Sequence, residues 1–150
     1  MKETTLCYIE NSGNFLMLLR NKKKNDPNQN KWIGVGGKLN PGETPKECAV
    51  REIYEETGLV IENPEYVGRV YFVSDIWEDE LMHLFVAKSE TDVVTACCEG
   101  TLKWVKKEDV TSLNLWEGDK VFLERLLKNE KTFRDITLTY SGETLISVKE

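Results

Sequence analysis

At 150 residues the chain has the length of one ordinary domain, residues 1–150, with nothing to spare for a second. Its composition, 40% hydrophobic and 31% charged, is that of a globular protein and excludes disordered and fibrous classes. Twenty Lys and Arg against 26 Asp and Glu leave a net charge of −6, which argues against a broad basic face that grips a nucleic-acid polymer. A small anionic ligand stays open, because a bound divalent cation can reverse the sign of a local field.

In chain order, Leu6–Ile9 and Phe15–Leu19 are short apolar runs around Asn11-Ser12-Gly13-Asn14 and predict a β-hairpin. A polar loop follows from Asn21 to Lys31, and then a glycine-rich stretch, Trp32–Leu39, with Gly34, Gly36 and Gly37. Thr44–Thr57 predicts a helix: Thr44, Pro45 and Glu47 fall at the cap, first and third positions, and Gly58 stands where a left-handed end would want it. Strands are expected at Tyr66–Val73, Leu81–Ala87 and Leu102–Val105. Phe122, Leu123, Leu126 and Leu127 recur at helical spacing after Trp116, and a last hairpin is expected from Phe133 to Val148, turning at Ser141-Gly142. Strands and two helices in mixed order predict an α+β fold, a mixed sheet sandwiched by helices.

Cys7, Cys48, Cys97 and Cys98 form no C-x-x-C pair, and His83 is the sole histidine, so a zinc site is not expected. The short apolar patch Leu6–Ile9 is too brief for a signal peptide, and no run approaches the roughly 20 residues of a membrane span. A cytoplasmic protein with reduced thiols is the expectation. His83 sits in an apolar strand and reads as packed or superficial rather than catalytic.

The chemistry is concentrated in the first helix. At roughly 100° per residue, Glu56 lies near +40° and Glu55 near −60° from Glu52, so three carboxylates share one edge. Cys48 falls on their side, Arg51 at its border, and Ala49, Val50, Ile53, Tyr54 and Thr57 on the arc available to a core. Like charges at these spacings repel, so either solvent screens the edge or a hard cation such as Mg2+ or Mn2+ neutralises it. The preceding segment favours the cation: Gly36 and Gly37 let backbone approach a ligand closely, and Glu43 and Arg51 can brace the loop against the helix.

Gly37, five residues, Glu43, seven residues, and then Arg51-Glu52-Ile53-Tyr54-Glu55-Glu56-Thr57-Gly58-Leu59 resembles the signature of the Nudix hydrolases. The resemblance implies a Nudix-type α/β/α sandwich with a mixed central sheet, and hydrolysis of a nucleoside diphosphate linked to another group. It implies Mg2+, with Mn2+ able to substitute, held by Glu52, Glu55 and Glu56 with help from the Gly37 or Gly36 carbonyl. Metal bridging phosphate oxygens and a carboxylate within reach of the attacking water are the chemistry such a set serves.

Asn30-Lys31-Trp32, the Trp104-Val105 strand, Trp116 with Asp119 and the final hairpin together resemble the oxidised-purine nucleoside triphosphatase subgroup. That likeness implies hydrolysis of an 8-oxo-dGTP-like substrate to monophosphate and pyrophosphate. It implies that Glu99 joins the metal site and that Trp116 and Asp119 stack on and hydrogen-bond the base. It also implies that one of Lys22–Lys24, with Lys23 the first choice, reaches a phosphate beside Lys38, and that Phe72 walls the base. The plain alternatives are a loop acid at Glu99, a helix anchor at Trp116, a solvated lysine run and a core aromatic at Phe72. Ile33 stands where the subgroup has an asparagine, and Gly118 where it has a second acid, so polar contacts to the base are lost. A dinucleoside polyphosphate, a nucleotide sugar, a pyrimidine triphosphate or a non-catalytic nucleotide-binding module are the competing readings. The expected partner is a small nucleotide, not a nucleic-acid polymer or a membrane, with the chain a monomer or homodimer.

Overall fold

The computed structural model describes residues 1–22, 26–97, 99–130, 133 and 135–150. Strands β1 (Lys2–Asn11) and β2 (Asn14–Leu19) meet at a tight turn in which Ser12 and Gly13 take φ of 49° and 79°. The hairpin is shorter than the apolar runs suggest, because its antiparallel register holds only at Glu10–Phe15 and Asn11–Asn14. Leu6–Ile9 lies buried on both faces, and a strand so covered takes its neighbours from the middle of a sheet. β1 therefore runs parallel to β5 (Glu80–Lys88), from Lys2–Glu80 to Glu10–Lys88. On its other side the glycine-rich segment zips along it, Cys7 exchanging backbone hydrogen bonds with Val35 and Thr5 N–H donating to the Gly37 carbonyl at 2.8 Å.

β2 pairs with the two-residue β3 (Trp32–Ile33) and with β6 (Thr101–Lys106). β4 (Glu65–Ser74) is antiparallel to β5 and parallel to β7 (Ile136–Ser141), and β8 (Thr144–Lys149) closes the edge. Among the described residues one mixed eight-stranded sheet results, in the order β3-β2-β1-β5-β4-β7-β8 with β6 on β2. The final hairpin begins at Ile136 rather than Phe133, and a 3₁₀ turn at Lys107–Ser112 was not expected from the sequence.

Helix α1 (Pro45–Thr57) carries the full capping box: Thr44 Oγ1 accepts the Glu47 N–H, and the Glu47 carboxylate accepts the Thr44 N–H. Gly58 ends it at φ 78°. Helix α2 (Glu117–Leu127) buries Phe122, Leu123 and Leu126. Alternation along β1 decides where the helices go, since neighbouring side chains leave a strand on opposite faces. Thr5 meets Cys48 of α1 (Oγ1–Sγ 3.3 Å), while Tyr8 packs on Phe122 of α2 with ring centroids 6.1 Å apart. The sheet is thus sandwiched between α1 and α2.

α1 is rotated from the orientation that its acidic edge suggests. Ala49, Ile53 and Thr57 are buried as expected, but Tyr54 is 59% exposed and Cys48 is fully buried. The helix turns its Cys48 side toward the glycine segment, and that rotation carries Glu56 into the interior, to 5% exposure. No helix among the described residues is long and apolar enough to cross a membrane.

Candidate active site

A cleft of about 520 Å³ runs past the N-terminal half of β1, with Gly36, Gly37, Glu52 and Glu99 among the residues of its wall and Phe72, Trp116 and Asp119 also lining it. The acidic part is built by close backbone approach. A Cβ at residue 36 would lie 2.0 Å from the Thr5 carbonyl oxygen, and one at residue 37 would lie 2.5 Å from the Glu52 carboxyl carbon. Glycine at both places lets this segment lie between β1 and α1. The Gly36 N–H donates to Glu56 Oε1 at 3.0 Å. Glu56 Oε2 is buried with no hydrogen-bond partner among the described residues.

Arg51 organises the carboxylates. Its Nε and Nη2 grip Glu43 at 2.7 and 2.8 Å, Nη1 reaches Glu52 at 2.7 Å and Glu55 at 3.2 Å, and Nη2 donates to the Lys38 carbonyl at 3.1 Å. The two-pronged contact pulls the Glu43 carboxyl down to about 2. Burial raises Glu52 above the usual carboxylate range, opposed by Arg51, with the Glu55 and Glu99 charges adding to the rise. Glu56 is pushed up to about 8, mainly by burial and then by the Glu99 charge. Glu99, a partly exposed side chain, pairs with Arg20 at 3.5 Å.

Glu52, Glu56 and Glu99 therefore form one mutually repelling group. Glu55 is different: its side chain is 55% exposed, and of the four acids Glu52 and Glu99 line the cleft while Glu55 and the buried Glu56 do not. Among the described residues no three acidic, cysteine or histidine side chains converge on one cation position, because Arg51 draws Glu52 and Glu55 to itself. The Gly37 carbonyl already accepts from the Thr5 N–H at 2.8 Å and from the Cys48 thiol at 3.6 Å, so any metal contact there would displace the weaker thiol contact.

At the other part of the cleft Trp116 caps α2 and stacks edge-on against Tyr140, with centroids 5.2 Å apart. Lys31 Nζ lies 5.0 Å over its ring. Trp116 thus anchors the helix and also lines the cleft. Asp119 is 4% exposed, and its carboxyl is pushed up to about 8 by burial and then by Glu80, against Lys31. Phe72 is half-buried on the cleft wall. Ile33, 8% exposed, lines it with an apolar side chain. Gly118 has a packing cause: a Cβ there would stand 2.7 Å from Leu138 Cδ1 and Tyr140 Oη, and its N–H donates to that hydroxyl at 2.6 Å.

The sequence pattern of the NUDIX domain matches residues 2–126. The chain belongs to the Nudix hydrolase family. Nudix hydrolases are pyrophosphohydrolases of nucleoside diphosphate derivatives, so the protein is an enzyme of that class. An uncharacterized Nudix hydrolase of Bacillus subtilis strain 168, YvcI, is 30% identical over 148 residues, covering 95% of this chain and 89% of YvcI. The mouse oxidized purine nucleoside triphosphate hydrolase is 31% identical over 116 residues, 76% of this chain and 74% of its own. Among solved structures, the mutator MutT protein of Bacillus halodurans superposes with a TM-score of 0.85 at 27% identity, covering 99% of this chain and 97% of that one.

Within this Nudix fold the remaining residues singled out from sequence also find places. His83 is buried between the Tyr66 hydroxyl (2.8 Å from Nδ1) and Glu3 (2.6 Å from Nε2), away from the cleft lining. Lys38 is exposed at the cleft wall. Lys22 Nζ donates to the Cys97 carbonyl at 3.0 Å, whereas Lys23, Lys24 and Cys98 lie outside the described residues. Arg20, Asp26, Asn28 and Tyr140 also line the cleft and carry no motif in the sequence. Asn28 is one of several asparagines in a polar loop, and nothing local distinguishes it.

Proposed function

We propose that the enzyme hydrolyses a modified purine nucleoside triphosphate, of the 8-oxo-dGTP kind, to the nucleoside monophosphate and pyrophosphate. The observation that carries this reading is one continuous cleft holding Glu52 and Glu99 together with Phe72, Trp116 and Asp119. The zebrafish relative, 29% identical over 132 residues, bears the same name as the mouse one, oxidized purine nucleoside triphosphate hydrolase, which supports the base class.

The chemistry of the donor set, all oxygen, fits a hard divalent cation once Arg51 releases Glu52 and Glu55. Glu56 Oε2 is a buried carboxyl oxygen with no hydrogen-bond partner among the described residues, and the Glu52 and Glu99 charges crowd it, a repulsion that a bound cation would relieve. Mg2+, or Mn2+ in its place, would be held by Glu52, Glu56 and Glu99, with Glu55 and the Gly37 or Gly36 carbonyl at its margin, and would supply phosphate neutralisation and an acidified water. Gly36 N–H fixes one oxygen of Glu56 and so holds the other at a constant position, where it can take a proton from water once a bound cation has displaced the carboxyl's own proton. Arg51 holds Glu52 and, through Glu43 and the Lys38 carbonyl, the loop that meets it. Lys38 and Lys23 are the side chains assigned to the phosphates. Trp116 and Phe72 enclose the base, and Asp119 bonds its edge.

Ile33 is the observation on the other side, since an apolar residue there removes one polar contact to a purine. The test is a panel of dGTP, 8-oxo-dGTP, dATP, a pyrimidine triphosphate, a dinucleoside polyphosphate and a nucleotide sugar with Mg2+, scored by kcat/KM. The highest value is expected for 8-oxo-dGTP. A higher value for a non-purine substrate, or tight binding with no pyrophosphate released, defeats the reading.

A further inference from the structure

We infer that Asn28 reads the base: its side-chain N–H2 donates to a carbonyl oxygen of an oxo-purine, supplying the polar contact that Ile33 lacks. The inference rests on the purine triphosphatase reading above and names a residue which that reading does not need.

Asn28 lines the cleft together with Trp116 and Asp119. Three of its four polar groups are already committed. Its backbone N–H donates to Asp26 Oδ1 at 3.0 Å, its carbonyl accepts the Lys31 N–H at 2.8 Å, and its side-chain Oδ1 accepts the Trp116 indole N–H at 2.8 Å. An indole N–H only donates, so the amide oxygen must be the atom that faces it. That leaves Nδ2, with two hydrogens and no partner among the described residues, on a side chain that cannot turn without breaking the Trp116 contact. Asp26 is itself locked, 8% exposed and ion-paired with Arg20 at 2.8 Å, and Arg20 continues to Glu99. The two backbone contacts fix the loop and the Trp116 contact fixes the side chain, so that of the carboxamide only its donor is left open.

The neighbouring groups sharpen the chemistry. The Trp116 N–H is spent on Asn28, so the indole offers the base its ring and no hydrogen bond. Tyr140 Oη accepts the Gly118 N–H and keeps its own O–H as a second donor in the cleft. A carboxamide N–H2 in the cleft that the Asp119 carboxyl also lines offers a donor and an acid to one base, a combination that suits a ring edge with a carbonyl beside N–H groups. The exocyclic amino group of adenine would set donor against donor.

Asn28→Asp isolates the donor. The aspartate still has an oxygen for the indole N–H, so the Trp116 wall stays in place while the donor becomes an acceptor. Its added negative charge acts on every triphosphate alike and cancels in a ratio. The experiment measures kcat and KM for 8-oxo-dGTP, dGTP and dATP with Mg2+, on wild type, Asn28→Asp and Asn28→Leu. In Asn28→Asp the oxo-purine to dATP ratio of kcat/KM is expected to fall about ten- to hundredfold, mostly through KM. Asn28→Leu is expected to lose the same preference. A ratio within twofold of wild type in Asn28→Asp, or a wild type that does not prefer oxo-purines over dATP, overturns the inference while leaving a nucleotide hydrolase in place. A wild type that cleaves none of the three overturns the underlying reading and the inference with it. If Asn28→Asp does not fold, the Asn28 side-chain amide resonances of the wild type decide: 8-oxo-dGMP is expected to shift them, and unshifted resonances at saturation overturn the inference.

Discussion

The Cβ that alanine would place at residue 37 falls 2.5 Å from the Glu52 carboxyl carbon, whereas the one at residue 36 falls 2.0 Å from the Thr5 backbone oxygen. Adjacent glycines therefore fail differently. At residue 37 a flexible side-chain end can move aside, so Gly37→Ala is expected to fold and to lose activity about 10²-fold through a displaced Glu52. At residue 36 the obstacle is the backbone of β1, and Gly36→Ala is expected to lower Tm sharply or prevent folding. Circular dichroism melts beside kcat separate the two, and equal melting temperatures would contradict the geometry.

Glu56→Gln keeps an oxygen for the Gly36 N–H and removes the group's ability to ionise. The fold is expected to survive and turnover to fall about 10²–10⁴-fold. Mg2+ is expected to raise the Tm of the wild type and to lose most of that effect in the variant. Full activity in Glu56→Gln would defeat the assignment of the carboxylate group.

Asp119 makes stability depend on pH. Its folded value of about 8 stands above the ordinary 3.8, so the folded protein holds a proton there that the unfolded chain has released. Its stabilising effect is complete below 3.8 and is lost as pH rises through about 8. Asp119→Asn is expected to flatten the fall in Tm over that window. A wild-type slope that persists unchanged in the variant would rule out Asp119 as its source.

Gly118→Asp would restore a second acid in the sequence and is expected not to restore a second acid in the cleft. Its Cβ meets Leu138 and Tyr140 at 2.7 Å, and overpacking of this kind costs about 1–3 kcal/mol, several degrees in Tm for a chain of this size. A thermal melt checks it; an unchanged Tm would show that Leu138 and Tyr140 yield easily.

Much of the site was legible because its parts are close in sequence. Gly37, Glu43, Arg51, Glu52 and Glu56 fall within twenty residues, and the helical repeat fixes which carboxylates share an edge. Asn28 and Arg20 were not legible. An asparagine in a polar loop and an arginine after a strand look like solvated residues until Trp116 and Glu99 are brought beside them.

The amino-acid order alone determined the helix α1 with both caps, the turn at Ser12-Gly13 and the α2 spacing, since each rests on contacts within a few residues, and the family signature, which is a pattern of residue types. Only the tertiary structure decided which strands lie beside β1, how α1 is rotated, and which acid is buried. Those outcomes depend on pairings across the chain, Leu6 with Leu84 and Thr5 with Gly37, whose free energy exists only when distant segments meet. The difference between Glu55 in solvent and Glu56 in the interior follows from that docking, because neighbouring residues on one helix differ only in what the rest of the molecule lays against them.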